Sequence, residues 1–307
     1  MLDLIIVGGA AAGTGAAVYA ARAKMNFKVI AHDLGGEVAN SGEIGNYPGF
    51  NETNGIELSQ KFNDQLKFNE IDVETGVMVE KIEKTGTHFI VRGKHGTQDK
   101  SYEAKSVILA TGVHPRHLGV SGEDNLYQKG VSYCSTCDGP LFRNKVVATI
   151  GGGNTALESI LLLSNIAEKV YAINKNADFK GEAVYIEKVK QLKNVEIISE
   201  AQTTGFIGDQ MLKEVEYKDK DGAAKKIEVS GAFVHIGIIP NTGMVVDLGV
   251  LEPGGFVEAN LLMETKVPGL FAAGDVVNIP YNQISIAVGQ GVTALLTAQS
   301  YINKLGK

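Results

Sequence analysis

Two short apolar runs in this chain end in glycine. Leu4-Ile5-Ile6-Val7 leads into Gly8-Gly9-Ala10-Ala11-Ala12-Gly13, and Val146-Val147-Ala148-Thr149-Ile150 leads into Gly151-Gly152-Gly153-Asn154-Thr155-Ala156. A helix-like segment follows each turn. Thr14 to Lys24 is rich in alanine, and Thr155 to Leu163 is apolar on most sides. Strand, glycine turn and helix form the opening of a dinucleotide-binding βαβ unit. The two copies lie much further apart than one such unit is long, which predicts two nucleotide-binding domains and not a solenoid. Between them, His88-Phe89-Ile90-Val91 alternates, Ser106 to Ala110 reads as a buried strand, and Arg92 to Ser101 reads as a hairpin region. Further on, Val195 to Ile198 and Glu214 to Tyr217 predict strands, with Lys218 to Lys226 as a solvated hairpin tip. Leu270 to Ala273 predicts another strand, and Ile284 to Leu305 is helical in character. No Pro/Ser-rich linker marks a boundary, so the domains have to be placed by their motifs.

Composition narrows the class. The chain has 307 residues, of which 44% are hydrophobic and 21% charged, with a net charge of −6. That balance is ordinary for a globular protein and points away from nucleic acid and from anionic membrane surfaces. No apolar run approaches the roughly 20 residues a spanning helix requires. With a strand-like run starting at Leu2, no secretory leader is expected. Two cysteines are too few for a disulfide-built scaffold, so a cytoplasmic location is expected.

The glycine turns have a physical purpose. A pyrophosphate sits at a helix N-terminus, where unpaired N–H groups and the helix dipole favour an anion. Glycine lets the backbone approach it closely. The second turn reads Gly151-x-Gly153-x-x-Ala156. The first reads Gly8-x-Ala10-x-x-Gly13 and carries a methyl group where the closest approach is expected, which either shifts the phosphate or is absorbed locally. Asp33 lies about 20 residues past Gly13, where an acidic ribose partner is expected.

Five stretches together resemble the low-molecular-weight thioredoxin reductases. They are Gly35-Gly36-Glu37 with Ile44-Gly45-Asn46-Tyr47-Pro48-Gly49, Ala110-Thr111-Gly112, Cys134-Ser135-Thr136-Cys137-Asp138-Gly139, Gly269 to Asp275, and Gln283-Ile284 with Ala287. Cys137 to Phe142 and Gly237 to Thr242 are most similar to the reductase core of alkyl hydroperoxide reductase F subunits, whose additional N-terminal thioredoxin-like domain is not expected here. The resemblance runs the length of the chain. It implies an α/β fold of two Rossmann-like domains: an FAD domain over 1–116 and 244–307, and a pyridine-nucleotide domain over 117–243 inserted into it. It further implies a homodimer with hinges near Pro115–Gly119 and Pro240–Gly243. The implied FAD contacts are Gly8, Gly13, Asp33, Gly36, Glu37, Asn46, Ala110, Thr111, Gly112, Gly274, Asp275, Gln283, Ile284 and Ala287. Glu37 stands where the family usually has glutamine.

Two cysteines at this spacing admit a zinc site, a structural disulfide or a working dithiol. Zinc needs four ligands, and none of the histidines sits at ligand spacing to the pair. A disulfide closing so short a loop would add only about 2 kcal/mol. Asp138-Gly139-Pro140 reads as a helix start, where a nearby thiol is acidified. By resemblance, Cys137 is the flavin-proximal thiol, Cys134 attacks the partner disulfide, and Asp138 handles the proton; Asp138 also suits a helix cap. The partner implied is a thioredoxin- or glutaredoxin-like protein.

The electron donor is read from the second turn. Gly151, Gly153, Asn154, Thr155, Ala156 and Glu158 match a nucleotide site. NADPH-specific relatives place arginines after the next strand, whereas this chain has Asn174-Lys175-Asn176-Ala177-Asp178-Phe179-Lys180. Lys175 and Lys180 provide charge without arginine's fork. NADH-preferring relatives carry an acid at the place of Asn174. A pyridine nucleotide is expected, with a lean to NADH. A ferredoxin or reduced-flavin donor, or an FAD-binding redox sensor without turnover, are the alternatives.

Overall fold

The computed structural model describes residues 1–41 and 43–305, and the side chains of Glu43 and Cys137 fall outside what is described. The chain divides into unit 1 (1–114 and 239–307) and unit 2 (115–238).

Unit 1 grows from β1 (Leu2–Gly9), whose residues 4–7 are buried. A parallel strand covered on both faces requires such an unbroken apolar run. The helix α1 (Ala11–Arg22) follows, then β2 (Phe27–Leu34), the one-turn α2 (Gly36–Ala39), the short pair β3 (Glu43–Ile44) and β4 (Thr53–Asn54), and α3 (Gly55–Phe68). Asn54 caps α3 by accepting from Glu57 N at 2.9 Å. Next come β5 (Val73–Glu74) and the meander β6 (Val77–Thr85), β7 (His88–His95) and β8 (Gln98–Leu109). The hairpin expected over 92–101 turns at Gly96, whose φ of +59° suits glycine. β8 does two jobs. Its first half pairs antiparallel with β7, and its second half runs parallel to β1. The sheet order is β5-β2-β1-β8-β7-β6. The segment β9 (Val113–Pro115) then leads out of unit 1.

Unit 2 contains α4 (Glu123–Leu126), β10 (Val131–Ser132), α5 (Ser135–Asp138), β11 (Val146–Ile150), α6 (Asn154–Ser164), β12 (Lys169–Ile173), α7 (Ala183–Lys190) and β13 (Val195–Ile198). An antiparallel sheet of β14 (Gln202–Gly208), β15 (Leu212–Lys218) and β16 (Ala224–Glu228) follows, then β17 (Gly231–Val234). The parallel sheet runs β10-β17-β11-β12-β13. The charged tip between β15 and β16 is held by Asp219, whose Oδ1 accepts from Asp221 N and Ala223 N, both at 3.0 Å. The chain leaves through β18 (Ile238–Pro240) and completes unit 1 with β19 (Leu270–Ala272), which pairs with β8, and α8 (Ile284–Leu305).

Both glycine-turn helices start earlier than their apolar patterns suggest, at Ala11 and Asn154, immediately after the middle position of each turn. The helix start read at Asp138-Gly139-Pro140 is that of a 3₁₀ turn over Gly139–Phe142 with Pro140 early in it, and a single α-helical turn from Ser135 precedes it. Asp138 N–H donates to Cys134 O at 3.1 Å and closes that α-helical turn. No helix among the described residues is long and apolar enough to cross a membrane.

Candidate active site

In unit 1 the first glycine turn is shaped by close backbone contact. Gly8 has φ +123°, and a Cβ there would run into the carbonyl of Ala110. A Cβ on Gly13 would run into the carbonyl of Gly8. Ala10 has φ −100° and ψ −156°, extended backbone that any residue adopts. The methyl group of Ala10 therefore costs the backbone no strain. Ala110 N–H donates to Val7 O at 2.8 Å, which lays Ala110-Thr111-Gly112 along the turn. Thr111 is engaged by Asn241: its hydroxyl donates to Asn241 O at 2.6 Å, and Asn241 Nδ2 donates to Thr111 O at 2.9 Å.

Asp33 ends β2, exposed, and accepts from Gly36 N at 3.2 Å. Glu37 lies on α2. Part of its side chain reaches solvent, yet its crowded flanks raise the carboxyl pKa through desolvation, opposed by a hydrogen bond from Asn40. Asn46 Nδ2 donates to Gln283 Oε1 at 3.1 Å, so two residues expected at the flavin meet although they lie far apart in sequence. Gln283 O accepts from Ala287 N at 2.9 Å in the entry to α8, which Ile284 opens. Gly274 has φ +80° and donates to Gln290 Oε1 at 2.8 Å. Next to it, desolvation raises the pKa of Asp275, and its Oδ1 is buried with no hydrogen-bond partner.

These features fit FAD. The Gly8 and Gly13 cradle admits a backbone-hugging pyrophosphate at the start of α1. The orphaned Asp275 oxygen calls for a donor from a ligand, since a buried acceptor left unpaired costs about 1–3 kcal/mol.

In unit 2 a cavity of about 730 Å³ is bordered by the second glycine turn, together with Thr155, Asn174, Lys175, Lys180, Thr203 and His235. Its volume suits a nucleotide-sized ligand. Gly151 has φ +146°, and a Cβ there would strike the carbonyl of His235. Nothing lies near the Cβ position of Gly153, so that face of the turn is open. Ala156 and Leu157 are buried, while Asn154, Thr155 and Glu158 are exposed. Asn154 Oδ1 accepts from Glu182 N at 2.8 Å, and Lys180 N donates to Gly152 O at 2.7 Å, folding residues 180–182 over the turn. Asn174 is only 1% exposed. Its Oδ1 accepts from Asn176 N at 3.1 Å, and its Nδ2 is buried without a partner. Lys175 and Lys180 are exposed at the cavity edge.

Cys134 is disulfide-bonded. It immediately precedes α5, and its N–H donates to Ser132 Oγ at 3.0 Å. The Cys137 side chain, expected to be the flavin-proximal thiol, lies outside what is described. Asp138 is half-buried and makes no side-chain cap to the 3₁₀ turn that follows it.

Sequence reasoning passed over a second set of residues. Glu123 is 2% exposed and fully used. Its carboxylate accepts from Leu118 N at 2.9 Å, Gly119 N at 2.7 Å and Val120 N at 3.3 Å, and from Tyr133 Oη at 2.8 Å. Tyr133 also stacks on His117, with ring centroids 4.6 Å apart. Desolvation and the Glu123 contact drive the Tyr133 pKa upward. The glutamate after Gly122 was the only hint of this, and periodicity cannot show it. Among the described residues no group of three or more His, Cys, Asp or Glu could hold a metal ion.

The family model for pyridine nucleotide-disulphide oxidoreductases matches residues 2–291. The chain is 38% identical over 301 residues to the F subunit of alkyl hydroperoxide reductase in Staphylococcus epidermidis, covering 98% of this chain and 59% of that relative. The chain therefore spans about three fifths of the length of the curated relatives it matches. Among solved structures, thioredoxin reductase from Streptococcus pyogenes is similar with a TM-score of 0.81 at 34% identity, covering 99% of both chains. Thioredoxin reductase from T. acidophilum is similar with a TM-score of 0.76 at 38% identity, again covering 99% of both.

Proposed function

The chain belongs to the pyridine nucleotide-disulphide oxidoreductase family, a family of enzymes, and within it we propose a thioredoxin reductase-like flavoprotein that carries electrons from NADH or NADPH, through FAD and the Cys134–Cys137 pair, to the disulfide of a thioredoxin- or glutaredoxin-like protein. It acts as a homodimer in the cytoplasm. Its FAD domain is discontinuous, and its nucleotide domain is inserted between the two parts.

The observation that carries this reading is Cys134. It is disulfide-bonded and stands at the start of a single helical turn, in the same unit as a nucleotide-sized cavity bordered by a glycine turn. FAD supplies a two-electron carrier between a nicotinamide and a disulfide. Gly8, Gly13, Ala110, Thr111, Gly112 and Gly274 present backbone to it, Asp33 meets a ribose, Asp275 accepts from a ligand hydroxyl, and Asn46 with Gln283 contacts the ring. Gly151, Gly153, Asn154, Thr155 and Ala156 receive the pyrophosphate of the nicotinamide nucleotide, while Glu158, Asn174, Lys175 and Lys180 border it.

Once the pair is reduced, the Cys134 thiolate attacks one sulfur of the partner disulfide and expels the other as a thiolate. Cys137 then attacks Cys134, releases the reduced partner and restores the pair. Asp138 takes up and returns the proton that the thiols exchange.

The test is anaerobic mixing of the yellow protein with NADH, NADPH or reduced ferredoxin while flavin absorbance is followed. Rapid bleaching by one of the nucleotides is expected. Bleaching by ferredoxin alone moves the donor to that protein, and no bleaching by any of them replaces turnover with redox sensing. Cys134→Ser abolishes reduction of a thioredoxin-like substrate, read as thiol release, and leaves bleaching by the nucleotide intact.

A further inference from the structure

Four polar side chains of unit 2 join in an interior chain that the nucleotide cavity and the thiol chemistry leave unexplained. Ser135 Oγ lies 2.5 Å from Ser159 Oγ and 2.6 Å from His235 Nε2, and Ser159 Oγ lies 3.3 Å from Thr149 Oγ1. The three hydroxyl residues are buried. Burial keeps the His235 imidazole neutral, its pKa pushed down to about 4. A neutral ring offers one donor and one acceptor, so it fits either polarity of the hydroxyl chain.

The placement of these residues is the informative part. Ser135 follows Cys134 directly and opens α5. Two of its three companions come from the elements that flank the second glycine turn, and the third packs its backbone against that turn. Thr149 lies in β11, which enters the turn, and Ser159 lies in α6, which leaves it. His235 follows β17, donates its N–H to Ile150 O at 2.7 Å, and presents the carbonyl that confines Gly151 to glycine. One residue thus touches the phosphate-binding turn with its backbone and the dithiol turn with its ring.

We infer that Ser135 and His235 form a latch that positions the Cys134 turn on the phosphate-binding turn and favours its disulfide form; this rests on reading Cys134 as redox-active. The latch is complete while Cys134 is disulfide-bonded. Reduction breaks the sulfur–sulfur bond and so releases a constraint on the residue adjoining Ser135. Contacts as short as 2.5 and 2.6 Å tolerate little displacement before they weaken. The latch is therefore stronger in the disulfide state, and its removal eases reduction. His235 is a positioning residue that acts through Ser135.

The experiment equilibrates the flavin-loaded protein with dithiothreitol buffers. One dithiothreitol closes to its cyclic disulfide, and its two electrons and two protons convert the Cys134 disulfide to two thiols, which are trapped by alkylation and counted by mass. Ser135→Ala and His235→Ala are each expected to shift this equilibrium toward the dithiol by about 5- to 10-fold, the worth of one well-made hydrogen bond. The double variant should shift it no further, and His235→Gln, whose amide can still meet Ser135, should stay within about twofold of the parent. Equilibria that stay unmoved, shift toward the disulfide, or add in the double variant overturn the latch. A purely structural role would lower the melting temperature and leave the equilibrium in place. Ser135→Ala removes one oxygen and keeps the helix, so it reads the latch by itself if His235→Ala does not fold. No nucleotide or partner protein enters the assay. A parent disulfide inert to dithiothreitol sinks the redox reading of Cys134, whereas a normal parent with unmoved variants sinks the latch alone.

Discussion

At the glycine turn of unit 1, the position just before the helix bears Ala10 and the position three further on bears Gly13. In unit 2 the same two positions carry Gly153 and Ala156. The backbones agree closely at the first of them, with φ −100° at Ala10 and −93° at Gly153. The difference lies at the second. A methyl group on Gly13 would meet the Gly8 carbonyl, while Ala156 holds its methyl in a closed core. Helix α1 is thus pressed harder onto its strand than α6. It is also pressed from the other side: a Cβ on Gly15 would come within 2.6 Å of Val288 O, and one on Gly291 would strike Ala12 O. A turn held this tightly suits the resident flavin proposed for unit 1. The unit 2 turn borders an open cavity, as suits a ligand that comes and goes.

The largest effect that can break this comparison is Gly13→Ala. It should cost about 2–3 kcal/mol by overpacking and lower the flavin retained per chain, whereas Ala156→Gly should cost about 1–2 kcal/mol from helix propensity and a lost buried methyl. Urea unfolding and flavin absorbance read both. Equal losses would erase the distinction between the turns.

The open turn is sharpened next by its cations. Lys175→Ala with Lys180→Ala should raise the KM for NADPH about 5- to 10-fold and leave that for NADH within about twofold. Unchanged constants for both nucleotides would make the lysines plain solvated surface.

How much of this was legible beforehand follows from the kind of signal involved. Both strand–turn–helix units could be read because buried parallel strands need continuous apolar residues and the turns need glycine; Ile284 to Leu305 was marked out by its helical pattern. The helix start read at Asp138-Gly139-Pro140 is that of the 3₁₀ turn, whereas the α-helical turn before it went unread, because it is closed by one bond from Asp138 to Cys134 and has no periodicity to display. The Asn46–Gln283 and Ser135–His235 contacts join residues far apart in sequence, which spacing cannot reveal. Glu123 was missed because three of its four partners are backbone N–H groups, which every sequence possesses.

A smaller effect concerns Glu37, beside the tight turn. Its carboxyl pKa is raised by desolvation. The folded chain therefore binds more protons than the unfolded one between the ordinary value of 4.5 and the raised value, so this group's contribution to stability falls as pH rises through that window. Glu37→Gln should melt higher than the parent at neutral pH, with the gap closing toward pH 4. A gap independent of pH would remove the burial argument.

The smallest effects are at the positions just before the two helices. Ala10→Gly and Gly153→Ala should each change stability by less than about 1 kcal/mol. Only Gly153→Ala should weaken nucleotide binding, seen as a raised KM, because a methyl there faces the approaching phosphate.

The glycine contacts between α1 and α8 also set a timetable. On the ribosome β1 and α1 emerge early, but the helix that clamps α1 comes from residues 284–305. All of unit 2 is synthesised in between. At roughly 5–20 residues per second, α1 waits on the order of ten seconds to a minute for its clamp. During that interval its alanine face has no lasting cover, while the inserted unit can already complete its own sheet. Nascent chains stalled before residue 284 should therefore hold a finished unit 2 beside an unfinished flavin cradle, and cofactor loading becomes an event that follows release.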